Sequence, residues 1–394
     1  MTNHADRLSW LWALAAVWGL TPLAPAAPPS VTTMRVPHGG IQPQAATDAQ
    51  GVVHLIYFKN DPHNGDLFYV KSGDGGQVWS RPIQVNSFPG SNVAVGNMRG
   101  AHLALGRGGR VHVGWMGSKN AEPRAPGGGF PMLYSRLNDR GDAFEPQRNL
   151  VTEHAGLDGG GSVAADDKGN VYVAWHAGPH GGGEAQRRVW VAVSHDDGRT
   201  FAPEVAPYAA ATGACGCCGM RVFADAAGAL HVLYRSARNA LDRDMMLVTV
   251  GANQRLDRAD GLVLDPWRIG QCPASTAAMA NVARGTLLAW EHDGQVLFAL
   301  QPKGESQPRA ATAAPGPAAR RKHPAIAVND AGQFIIAWTE GMGWQRGGGG
   351  GWQVFDAAGQ PLRGQEAAGR IDGVPVWSLV AAFARADGAF VVVY

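Results

Sequence analysis

The chain has 394 residues, which accommodates one large or two ordinary domains. Its 34 Lys and Arg nearly balance 32 Asp and Glu. That excludes nucleic acid as the expected main partner, because phosphate binding needs a basic surface.

The N-terminus reads differently from the rest. Arg7 precedes the apolar run LSWLWALAAVWGL, and TPLAPAAP follows it. Ala24-Pro25-Ala26 fits a small-x-small cleavage site, so residues 1–26 read as a signal peptide. The alternative is a membrane anchor, but the run is shorter than the ~20 residues a span needs. No cysteine follows the run, so a bacterial lipoprotein signal is absent, and no later segment is apolar enough to span a bilayer. The mature chain is expected to be periplasmic or secreted, in a compartment that permits disulfides.

From residue 31 to 394 one pattern recurs: small apolar residues, a Gly-containing turn, then a β-rich run ending in an aromatic. It appears at 43–58, 101–115, 161–175, 220–234, 276–290, 324–338 and 378–394. GSVAADDKGNVYVAW and PAIAVNDAGQFIIAW are typical copies. Each half alternates with period two, as half-buried strands do, and the turn joins the halves as a hairpin. No helical period appears. A second hairpin follows several units, at 67–85, 132–150 and 189–205. Each repeat thus offers about four antiparallel strands, at a period near the ~40–50 residues of known propeller repeats.

Radial repetition of such sheets is an all-β propeller. A pair of β-sandwiches is the alternative, and seven similar units in a row argue against it. Seven units predict seven blades, with six as the alternative count. The chain stops just after an inner hairpin, so the last blade needs another strand. VTTMRV at 31–36 is expected to supply it and close the ring.

The second hairpins carry a motif. Ser194, Asp196, Gly198, Thr200 and Phe201 fit S-x-D-x-G-x-T-W/F. Ser72, Asp74, Gly76 and Trp79 fit with Val78 in place of Thr, and 137–144 fits loosely around Asp139. These hairpins resemble the Asp-box (BNR) repeats of exported, sialidase-like bacterial propellers. In that family the Asp-boxes are structural. The turn chemistry agrees: Asp bonds the backbone of its own turn, and Gly takes the left-handed conformation.

In a meander of strands A to D, the A–B and C–D turns share one face. The B–C loops and D–A crossovers share the other. The Asp-boxes are C–D turns, whereas the B–C loops at 59–66, 116–131, 176–188 and 339–351 are long and polar. Binding usually sits on such loops, so the functional face is expected opposite the Asp-boxes.

The stretch TGACGCCGMR at 212–221 is a D–A crossover on that face. Cys272 precedes the next inner strand. The fold therefore brings Cys215, Cys217, Cys218 and Cys272 toward one channel mouth. Three readings stay open: a disulfide from Cys272 to one of the trio, a copper or zinc thiolate site, and a redox-active thiol. His54, His112 and His231 recur at one position of the B strands, which points to a structural role there.

The resemblance implies a comparison with sialidases. They hold the substrate carboxylate with three arginines beside a Tyr/Glu nucleophile pair and an Asp acid/base. Arg35, Arg99, Arg221 and Arg321 precede or open inner strands and are candidate anion ligands. Trp344 and Trp377, with Trp352, lie in or beside loops of the same face and are candidate sugar platforms. No Tyr/Glu couple is evident, and Asp61, Asp66 and Glu340 are loop carboxylates without a defined partner.

The leading expectation is an exported propeller binding a carbohydrate or small anionic ligand at the channel mouth, with glycoside hydrolase activity as an extension. The rivals are a metal- or thiol-site protein built on the cysteines and a non-catalytic interaction scaffold.

Overall fold

The computed structural model describes residues 29–179, 182–239 and 241–394, so the signal-peptide reading of residues 1–26 lies outside the described residues. Seven sheets follow one another along the chain. Their innermost strands are Ile41–Thr47, His102–Leu105, Ser162–Ala165, Arg221–Ala224, Ala278–Val282, Arg321–Val328 and Ala381–Ala384. We number the blades 1 to 7 in that order and letter their strands A to D outward. Five blades have four strands and two have three, forming the seven-bladed propeller that the repeats predict. In blade 3 a single bridge between Val191 and Val205 stands where the fourth strand would pair.

The residue types explain the radial order. Alanine recurs in the inner strands, four of which are only four residues long (Ser162–Ala165 reads SVAA, Ala381–Ala384 AAFA), and such small side chains let seven strands crowd around one axis. Ala45, Ala104, Ala164 and Ala382 line the channel they enclose. The B strands are buried throughout rather than on alternate residues, as Val111–Met116 and Leu230–Arg235 show. The expected period-two alternation fails there because each blade packs against a neighbour on both faces. Trp115, Trp175 and Trp290 occupy equivalent B-strand positions and are fully buried between blades.

The A–B turns are held by their own side chains. Asp48 Oδ1 accepts from the amides of Gln50 and Val52, and Asp225 Oδ1 from those of Ala227 and Ala229. The recurring histidines complete these turns. His54 Nε2 lies 3.1 Å from Asp48, and His231 Nε2 2.9 Å from Asp225. His112 has no acidic residue in its own turn and instead lies 3.7 Å from Asp197 of blade 3.

The S-x-D-x-G hairpins use the expected turn chemistry. Ser72 Oγ donates to Asp74 at 2.7 Å, and Asp74 accepts from the amides of Gln77 and Val78. Ser194 and Asp196 repeat this, with Asp196 accepting from Thr200. Gly76 and Gly198 have φ of 89° and 77°. Trp79 packs edge-on against Phe383 of blade 7, and Phe201 against Tyr134 of blade 2. Asp139 differs: its carboxylate takes Arg110 and Arg199 rather than its own turn. The Asp197 amide bonds Gly169 in an A–B turn, so the S-x-D-x-G hairpin and that turn share a face.

The strand Val31–Met34 closes the ring against Phe390–Val393. It runs parallel to its partner, unlike the other strand pairs described. The reason is topological: it has the direction of a D strand, but no C strand separates it from strand B. Val36 and Tyr394 continue the seam, with Val36 N donating to Tyr394 O at 3.0 Å.

His112 gives the fold a pH dependence. Burial, with Arg110 and Arg136 adding to it, lowers its pKa to about 3. Asp197 does not offset this, because it already accepts from Arg110 and Arg136. The unfolded chain takes up a proton as pH falls through roughly 6.5, but the folded chain does not. The stability contribution present above that pH is therefore lost on acidification, by roughly 2 kcal/mol at a pH near ~5. The melting temperature is expected to fall between neutral and mildly acidic pH, with a shallower slope in His112→Gln. Equal slopes by calorimetry would contradict this account.

Candidate functional site

The cysteine crossover is fixed by its backbone. Cys215 N donates to Arg235 O at 3.0 Å, at the end of the B strand of blade 4. Gly219 N donates to Ser275 O at 2.9 Å, which stitches this crossover to the one entering blade 5. Gly216 N donates to Glu184 Oε1 at 2.6 Å. A side chain at 216 would displace the tips of Arg187 and Asp158.

Three sulfur atoms meet, and the fourth, on Cys218, adjoins one of them. Cys217 and Cys272 form a disulfide between crossovers of adjacent blades, with Cα atoms 6.5 Å apart. Cys215 Sγ lies 3.6 Å from Cys272 Sγ, 4.0 Å from Cys217 Sγ and 3.3 Å from Cys218 Sγ. Cys215 and Cys218 are thiols, only 2% and 3% exposed. Cys215 thus stands at the centre of the group.

Charged side chains surround the sulfurs. Arg235, buried, donates to Arg243 O and Glu291 O, and its guanidinium lies 3.8 Å from the buried Glu291 carboxylate. Burial raises the pKa of Glu291. Glu184 takes Arg243 at 2.8 Å and Arg187 at 3.7 Å. Asp158 takes Arg187 at 3.2 Å and Arg99 at 3.1 Å. The hydrogen bond to Cys218, then burial, pushes the Cys215 thiol far up. Burial would raise Cys218 too, but the bond from Cys215 and the Arg235 charge outweigh it, so Cys218 is the more acidic of the pair.

The candidate arginines do not share one site. Arg35 is exposed at the outer seam, donating to Gly373 O at 2.6 Å and stacking on Tyr394. Arg99 is held by Asp158 and Val95 O, 5.7 Å from the Trp344 ring. Arg321 is buried against Glu340 and Trp338. Arg221 alone of the four lines the central channel.

Trp344 is 50% exposed at the mouth, and Trp377 Nε1 donates to its carbonyl at 2.8 Å. Trp352 packs over Gly369 within blade 6. The loop carboxylates are occupied locally: Glu340 by Arg321 and Arg370, Asp66 by Asn60 and Asn86, Asp61 by His63. Among the described residues, tyrosine hydroxyls bond His54, His112 and Thr212, and none bonds a carboxylate.

Sequence reasoning overlooked His176, Arg235, Glu291 and the Glu184–Arg187 pair. A signal was present. The B strands end VYVAWHA, LHVLYR, TLLAWEH and FIIAWTE, each with a polar residue directly after the aromatic. Those residues emerge on the crossover face. His176 is buried there with neither ring nitrogen bonded, and burial, with Arg187 beside it, lowers its pKa to about 3.

Thiol titration checks this arrangement directly. Two thiols per chain should react in denaturant without reductant, and neither should react readily in the native protein. Zero or four reactive thiols would contradict the pairing.

No family model matches the sequence. No curated protein matches it either. Solved structures share its architecture. The Hadza microbial sialidase Hz136 superposes with a TM-score of 0.53 at 14% identity, over 77% of this chain. This chain spans 64% of the length of that sialidase. The NanB sialidase of Streptococcus pneumoniae gives 0.53 at 9% identity, over 89% of this chain and 71% of its own. The Penicillium chrysogenum α-L-arabinanase complexed with arabinobiose gives 0.51 at 13% identity, over 85% of this chain and 99% of its own. At these identities the likeness is one of fold: a propeller of the kind that sialidases and an arabinanase use.

Proposed function

We propose that the protein is an exported propeller whose working site is the cysteine cluster, and that its reduced form binds one soft metal ion, Cu(I) or Zn(II). The sulfur spacing carries this reading. Four thiolates at ~2.3 Å from a tetrahedral ion are separated from one another by about 3.8 Å. The Cys215 sulfur lies 3.3 to 4.0 Å from the other three, although Cys218 stands outside the group in which all sulfurs are mutually close. Cys215, Cys217 and Cys272 already form a group compact enough for one ion.

Thiolate ligands select Cu(I) and Zn(II) over harder cations. Arg235 and Arg243 would offset the negative charge that several thiolates bring. The disulfide and the metal site exclude each other, because both use Cys217 and Cys272. Reduction of that bond would open the site, and oxidation would close it.

The test uses the mature protein, reduced anaerobically, freed of reductant and titrated with Cu(I) against a chromophoric chelator. One Cu(I) per chain is expected. Cys215→Ser and Cys272→Ser should each weaken binding by at least ~100-fold, more than loss of an outer-shell group would. Reduced protein with four titratable thiols that takes neither Cu(I) nor Zn(II) would remove the proposal.

A second reading, an anionic carbohydrate bound on the same face, draws on a groove of about 460 Å³ between the loops of blades 2 and 3. Lys119, Arg124 and the exposed Phe130 line it, together with Arg187, whose charge Asp158 in the same groove partly offsets. Cations beside an aromatic ring suit an acidic sugar. Sialyllactose should then show saturation-transfer NMR contacts that weaken in Phe130→Ala and survive thiol alkylation. Absence of contacts in the wild-type protein would eliminate this reading.

A further inference from the structure

Arg221 opens the inner strand of blade 4 and lines a narrow cavity of about 70 Å³ in the upper channel. It also lines the wider chamber of about 400 Å³ bounded by the inner strands. Arg221 therefore stands at the level where the two chambers meet. Nη1 donates to His102 Nδ1 at 2.8 Å and approaches Gln44 Oε1 at 3.5 Å. Nε has no partner. Among the described residues no carboxylate lies within 4.0 Å of this cation, whereas Arg99 and Arg321 are each paired. Burial lowers its pKa to about 10.

The cavity is polar and incompletely bonded. Gln42 is 4% exposed and donates to Ala94 O and Trp377 O, which leaves Oε1 unpartnered. His323 is 3% exposed, and its Nδ1 is also unpartnered. His102 Nδ1 faces both Arg221 and Ser162 Oγ, the latter at 3.1 Å; with Arg221 donating, the imidazole proton belongs on Nε2, which has no hydrogen-bond acceptor among the described residues. A buried charge without a counter-charge is costly, and so is each unmade hydrogen bond. The space admits a small ion with a water or two, and is too small for a sugar ring.

We infer that the upper channel is an anion site, occupied by a monovalent anion of halide or formate size held by Arg221 and His102. The anion would neutralise the guanidinium and accept from Arg221 Nε–H and His102 Nε2–H. A companion water would serve Gln42 Oε1. The site is separate from the cysteine cluster and does not depend on metal binding there. Its effect would be to fix the inner ends of blades 1, 2 and 4 around one charge.

Sodium bromide is the probe. Crystals of the mature protein grown in it should show an anomalous bromide peak beside Arg221. In solution, melting temperature should rise saturably with bromide relative to gluconate, which is too large for the cavity, at equal ionic strength and pH. Arg221→Gln should abolish the rise while keeping a polar contact to His102. A wild-type channel holding only water, or an equal rise in Arg221→Gln, would overturn the inference. If that variant does not fold, the wild-type bromide map decides alone.

Discussion

The convergence of seven inner strands on one axis is the constraint on which the structure depends. It demands small side chains at the centre and bulky ones further out, and the repeat supplies both. It also dictates where chain segments arrive. Every inner strand starts on the same face, so residues just ahead of those strands become neighbours whatever their separation in sequence. Cys217 and Cys272 are 55 residues apart, yet they meet because each precedes an inner strand of adjacent blades. The same rule sends Arg221 into the channel.

The two faces have taken different tasks. On one, Asp and Ser side chains close turns, and His54 and His231 bind B strands back to them. Most of those groups are saturated by local partners, the exceptions among the described residues being His112 Nε2 and Asp197 Oδ1. On the other, thiols, arginines and carboxylates are gathered from several blades and coupled to one another. Groups such as His176 remain buried without a partner there. A structural face spends its polar groups on the backbone, whereas this one keeps several aimed at each other or at open space.

The blade count, the closing strand and the meeting of the cysteines were legible in the sequence because they follow from repetition alone. Period and turn residues fix the topology, and topology fixes which ends adjoin. Two kinds of information were not legible. The first is the partner of a long side chain: Arg35, Arg99 and Arg321 all lead toward inner strands, yet each finds a nearby carbonyl or carboxylate before reaching the axis. The second is burial on both sides of a sheet, which turned expected alternation into continuous apolar B strands. The polar residue after each B-strand aromatic was visible but unread, since its meaning emerges only when the blades are stacked.

The parallel seam between Val31–Met34 and Phe390–Val393 has a further consequence. It joins the two most distant parts of the described chain, so its loop-closure entropy is among the largest in the molecule. Six blades are built from local hairpins and this contact is the least local of all, so the circle is expected to close after the hairpins form. Until then the edge of blade 7 lies bare, with unpaired amides and carbonyls open to strands of other molecules. The clasp thus guards against self-association as well as holding the wheel shut.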